Sequence, residues 1–135
     1  MDKIISILDG GTLNITLDGD VVQDLKDGKI DPALFGVIDS IFVWAENKPT
    51  TCGRIELGPF ISGHLNVSYP TCHRSGQAFD VVVLGVDGTE TQQKTCQNEL
   101  MNDLKAFSNI TIIHEDAKNG QLAHLHIQTV NCLAK

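Results

Sequence analysis

The chain has 135 residues, 41% hydrophobic and 20% charged, the proportions of a soluble globular domain with one core. A formal net charge of −7 argues against generic adhesion to nucleic acid, to anionic membrane or to anionic wall polymers. No apolar run reaches the ~18 residues needed to cross a bilayer, and the apolar stretch after Met1-Asp2-Lys3 is about five residues, below the length of a secretory h-region.

In chain order, Lys3 to Leu8 and Thr12 to Leu17 alternate apolar and polar residues around Asp9-Gly10-Gly11, a hairpin signal. Asp31-Pro32 stands in N-cap and N1 order, opening a helix that runs to about Glu46. Its apolar positions Leu34, Val37, Ile38, Ile41, Phe42 and Ala45 follow helical spacing. Arg54 to Leu57 reads as a strand. Gly58 to Cys72, rich in Gly, Pro, Ser and Asn, reads as a loop that contains His64 and rims a cleft. Phe79 to Val86 is an apolar strand, and Thr89 to Phe107 a second helix, with Thr89 as cap, Gln92 three residues on, and Cys96, Leu100, Met101, Leu104 and Phe107 on one stripe. Asn109 to Ile113 and Leu122 to Val130 are two strands joined across a Lys118-Asn119-Gly120 turn, which brings His114 or Glu115 toward the final strand. This order predicts one α+β domain over residues 1–135, an antiparallel sheet with helices packed on one face, and a monomer.

Four cysteines, Cys52, Cys72, Cys96 and Cys132, allow two disulfides in three connectivities or four buried thiols. Asn14, Asn66 and Asn109 each head an Asn-x-Ser/Thr triplet, which matters only in a secretory host.

The chemistry concentrates in two segments. In His73-Arg74-Ser75-Gly76-Gln77-Ala78-Phe79-Asp80, an imidazole and a carboxylate stand seven residues apart around a glycine and a small residue. In Ala123-His124-Leu125-His126, two histidines stand at i and i+2, which a strand directs to one face. An HxH pair alone is a weak signal. The ordered combination supplies two nitrogens and an oxygen, a set that suits zinc with a fourth position left to water. Cys72 adjoins His73 but alternates to the other face of an extended chain.

The pattern HxxGxAxD followed by HxH resembles the D-alanyl-D-alanine metallopeptidase and hedgehog branch of zinc peptidases. The likeness spans about residues 51–130, and the seven-residue interval from His73 to Asp80 distinguishes it from the shorter HxxxD of lysostaphin-like enzymes. The resemblance implies Zn2+ held by His73, Asp80 and His126, with His124 beside the metal. It implies that Arg54 grips a substrate carboxylate, and that the substrate is a peptidoglycan stem peptide ending in D-Ala. Action would then be outside the cytoplasm, or by phage delivery.

Two departures stand out. Thr71 replaces a serine and keeps its hydroxyl. Ala123 stands where the peptidases carry Asp or Glu as general base. The candidates to move protons instead are His124, Glu115 and Asp116. Hedgehog-type domains keep such a metal site while acting as binding proteins, so Ala123 leaves a non-catalytic alternative open.

Overall fold

The computed structural model describes residues 15–17, 26–28, 30–58, 72, 76–118 and 120–132. Its elements are β1 (Ile15–Leu17), a 3-10 turn (Pro32–Leu34), α1 (Phe35–Asn47), β2 (Cys52–Gly58), β3 (Ala78–Gly85), α2 (Glu90–Leu104), β4 (Ile110–Glu115) and β5 (His124–Thr129). The strands form one sheet in the order β1-β2-β3-β5-β4. From β2 to β4 every pairing is antiparallel, and β1 joins β2 in parallel. The expected α+β architecture is present. The first half of the N-terminal hairpin, the cleft loop with His64, and Asn14 and Asn66 lie outside the described residues.

Both helices start where local chemistry dictates. The Asp31 carboxylate accepts from the Ala33 amide at 2.9 Å, and Pro32 occupies a position whose missing N–H costs nothing. The first turn is 3-10 before the chain relaxes into α1. At α2 the Thr89 hydroxyl accepts from the Gln92 amide at 3.2 Å. The reciprocal half of a capping box is absent: Gln92 Oε1 accepts instead from the Asp87 amide at 2.8 Å, while the Thr89 amide donates to Asp87 at 2.9 Å. Gly85 makes room for this, because a Cβ there would lie 2.8 Å from the Gln92 Cβ.

One core lies between the helices and one sheet face. Val37, Ile38, Ile41, Phe42 and Trp44 of α1 and Cys96, Leu100 and Leu104 of α2 meet Ile55, Leu57, Phe79, Val81, Val83, Leu125 and Ile127. The alternation is strict in β5, where Leu125, Ile127 and Thr129 are buried and His124, His126 and Gln128 are half-buried on the other face. The sheet therefore has a packed face and a chemical face.

The cysteines form two disulfides, Cys52–Cys96 and Cys72–Cys132. The first ties β2 to α2 through the core. The second, packed with Ala78, fixes the residue before His73 to the segment after β5. Between Cys72 and β3 the chain turns sharply: the Gln77 amide donates to the Cys72 carbonyl at 2.9 Å, and Gly76 has φ +75°, a conformation that excludes most side chains. The turn is held from both sides, by the Asp31 amide on the Gly76 carbonyl at 2.8 Å and the Thr129 amide on the Gln77 carbonyl at 3.0 Å.

The bridges close rings spanning 44 and 60 residues. Chain-entropy arguments give each on the order of 4 kcal/mol against the unfolded state. Replacing Cys72 and Cys132 together by serine should lower the urea midpoint strongly. An unchanged midpoint would mean the bridge does not stabilise the fold.

Candidate metal and catalytic site

β3 carries Asp80 and β5 carries His126, and the sheet register places these two residues directly opposite each other. Asp80 Oδ1 lies 3.3 Å from His126 Nδ1. A charge-assisted hydrogen bond is usually shorter, about 2.7–2.9 Å. Two ligands bound at 2.0–2.2 Å around a tetrahedral zinc stand about 3.3–3.5 Å apart. The observed separation is that of a long His–Asp ion pair and is also compatible with two ligands of one tetrahedral zinc. The other imidazole nitrogen, Nε2, is 2.8 Å from Gln128 Oε1. The Gln128 amide nitrogen in turn donates to the Cys132 carbonyl at 3.5 Å, which fixes its oxygen toward the ring. The Gln128 oxygen only accepts, so Nε2 is the donor to it, and Nδ1 faces Asp80. An outward N–H held by a neighbouring acceptor is the arrangement that orients metal-binding histidines. Asp80 and His126 fit the donor set.

His73, the third expected ligand, lies outside the described residues together with Arg74 and Ser75. Its neighbours are placed. Cys72 is bridged to Cys132 and Gly76 is bonded to Asp31, so both ends of the segment are fixed beside the start of β3 and the end of β5. Among the described residues no group of three His, Cys, Asp or Glu is arranged to hold a metal.

His124 lies on the same face as His126. Its Nδ1 is 2.9 Å from the Leu122 carbonyl and its Nε2 is 2.8 Å from Glu115 Oε2. A carbonyl cannot donate, so Nδ1 carries a proton. Glu115 and His124 are cross-strand partners in the β4–β5 register. Beside them is a cavity of about 230 Å³, walled by Glu56, Gly58, Asp80, Val82, Leu122 and His124.

His114 points the other way. It projects from the opposite face of β4, with Nε2 2.8 Å from Gln97 Oε1 and Nδ1 3.1 Å from Asn98 Oδ1. Asp116 is engaged by Lys94 on the exposed edge of α2. Ala123 is fully buried, and its carbonyl accepts from Gln97 at 2.7 Å. Of the proton-moving candidates, only Glu115 and His124 come together on the chemical face. Arg54 is exposed on β2, four residues before Gly58, the partner of Asp80. That places its backbone about 13 Å along the strand from the Asp80–His126 level.

Gln128, Glu56 and Gln97 were not singled out by sequence reasoning. The first had a readable signal, because HxHxQ puts His124, His126 and Gln128 on one strand face. Glu56 had only strand alternation to mark it, and Gln97, inside a helix stripe, had none.

Comparison of the chain with protein-family models, curated proteins and solved structures finds no match among any of them.

The two environments shift their histidines in opposite directions. Burial presses the His126 pKa down, but the bonds to Asp80 and Gln128, with the charges of Asp80 and Glu115, outweigh it and leave the value above 6.5. Burial first, and then the Lys94 charge, hold the His114 pKa below 6.5. In the metal-free protein, protonated His126 therefore adds stability below pH 6.5, lost as pH rises through the raised folded value. His114 acts in the opposite sense: stability is full above 6.5 and declines as pH falls toward the lowered folded value. An NMR titration should find the His126 midpoint above 6.5 and the His114 midpoint below it. Asp80→Asn should bring His126 down, and an unmoved midpoint would show that the carboxylate does not pair with the ring.

Proposed function

We propose that this chain is a zinc-dependent peptidase acting on D-Ala-containing peptidoglycan stem peptides. The observation that carries the reading is the cross-strand Asp80–His126 pair at ligand spacing, with His126 Nε2–H held by Gln128. His73, next in sequence to the disulfide-bonded Cys72, is the third donor of the family pattern. Zinc, when bound, polarises the scissile carbonyl and acidifies the attacking water.

The protein's own residues do the rest. Glu115 and His124, 2.8 Å apart, are the acid–base pair that takes a proton from the attacking water and passes it to the leaving amine. This pair replaces the carboxylate that Ala123 lacks. Val82 and Leu122 wall the cavity and restrict water on one side. Arg54, two residues along β2 from Glu56, is the guanidinium available to hold the terminal carboxylate of a stem peptide through two hydrogen bonds. The two disulfides belong to an oxidising compartment, in keeping with action outside the cytoplasm.

Ala123 favours a second reading, a metal-bearing domain that binds a peptide without cutting it. Its methyl is buried and its carbonyl committed to Gln97, so no group at that position reaches the chemical face.

Elemental mass spectrometry of the purified protein should find one zinc per chain, lost in His126→Ala and in Asp80→Asn. Absence of zinc from the wild type after loading would overturn the metal site. With zinc bound, release of D-Ala or a cut cross-link from purified peptidoglycan is expected, and its absence would favour the binding domain.

If the peptidase reading holds, Glu115→Gln and His124→Ala should each lower kcat by roughly 10²–10⁴-fold while zinc stays bound. Full activity in both variants would place the proton-moving group elsewhere.

A further inference from the structure

Gln97 is fully buried in the middle of α2, yet it is polar. An amide in a core costs free energy unless every hydrogen bond it can make is made. Gln97 comes close to that. Its Nε2 donates to the Ala123 carbonyl at 2.7 Å and to the Val83 carbonyl at 3.3 Å. Its Oε1 lies 2.8 Å from His114 Nε2. Since the amide nitrogen is committed to two carbonyls, Oε1 must be the acceptor and His114 Nε2 the donor. Nδ1 of the same ring lies 3.1 Å from the Asn98 side-chain oxygen.

The placement of these bonds is specific. His114 is the neighbour of Glu115 on β4, and Ala123 is the neighbour of His124 at the start of β5. From the packed side of the sheet, one side chain grips both strands, each one residue from a member of the Glu115–His124 pair on the other side. The Leu122 carbonyl, one residue further along, holds His124 Nδ1 at 2.9 Å. Anything that shifts residues 122–123 against residue 114 alters the 2.8 Å contact between Glu115 and His124.

We propose that Gln97 is a positioning residue for the Glu115–His124 pair, setting through His114 and Ala123 the distance between the two side chains. This rests on the reading of that pair as the proton-moving group. Elsewhere on α2, Lys94 holds Asp116 and the Glu90 carboxylate accepts from the Ala117 amide at 2.9 Å. Those contacts reach the same connection at its exposed rim, where a pair of charges holds geometry weakly. A buried leucine would pack α2 against the sheet at less desolvation cost than an amide, but it would leave the Ala123 carbonyl without this donor and let the two strand ends slide.

The test uses imidazole nitrogen NMR of the metal-free protein, with Glu115→Gln as the reference for a broken pair. In Gln97→Met and His114→Leu, the His124 Nε2 resonance should move toward its position in Glu115→Gln. His114→Gln, which keeps a donor for Gln97 Oε1, should restore it, and Lys94→Ala should leave it as in the wild type. In the zinc-loaded protein kcat should fall about 10-fold in Gln97→Met with KM little changed, the scale of losing a group that orients a reacting residue. A folded Gln97→Met with a lowered melting temperature but a wild-type His124 resonance would overturn the proposal and leave Gln97 as packing. Should Gln97→Met fail to fold, His114→Leu decides by the same resonance. A zinc-loaded wild type that cuts no peptide would sink the peptidase reading alone, since the imidazole spectra still decide the positioning claim.

Discussion

The register between β3 and β5 sets the rest of the candidate site. These strands are central in the sheet, and their antiparallel pairing puts Asp80 opposite His126, with Phe79 opposite Ile127 and Val81 opposite Leu125. Side chains alternate, so a slip of either strand by one residue would send its candidate ligand into the core and bring its apolar residues out. The fully buried Phe79, Val81, Leu125 and Ile127 make such a slip costly. The hydrophobic pattern that packs the sheet on its helices is therefore the same pattern that aligns a carboxylate and an imidazole on the opposite face. No separate interaction is needed to bring them together.

Alternation also sorts the histidines. His124 and His126 lie in β5 on the open face, while His114, in β4, lies one residue out of phase with Glu115 and faces α2. The consequence is a division of labour across one sheet. On the open face, imidazoles meet carboxylates and a glutamine oxygen. On the packed face, burial lowers the pKa of the His114 imidazole, which meets the side-chain oxygens of Gln97 and Asn98. A residue of one type thus serves two purposes within a few ångströms of backbone, decided by strand parity alone.

Much of this was legible in the sequence where a local rule governs. The Asp31-Pro32 and Thr89 caps, the apolar stripes of both helices, the strand carrying Asp80 and the hairpin feeding the HxH strand all follow from spacing and turn chemistry. The partner of Gln92 did not follow, because the capping box competes with an Asp87 amide that is within reach only once Gly85 lets the helix come close. The side to which the β4–β5 hairpin delivers Glu115 and His114 was open as well, since it depends on which residue of β4 begins the pairing with β5. The disulfide connectivity was undetermined for a like reason: cysteine spacing limits the possibilities to three, and only the packing of α2 on β2 selects among them.

The packed and chemical faces are coupled at their shared end by polar groups. The turn before β3 is closed by backbone hydrogen bonds to Asp31 and Thr129 and by the Cys72–Cys132 bridge, and that same Cys132 supplies the carbonyl that orients Gln128. From Gln128 the chain of contacts runs to His126 Nε2 and, through the ring, to Asp80. One covalent crosslink therefore fixes the start of the segment that bears His73 and also steadies the acceptor that sets the tautomer of His126. The bridge ties Cys72, the neighbour of His73 in sequence, to the segment that follows the HxH strand, although the chain between Asp80 and His124 builds a helix and a strand in the interval.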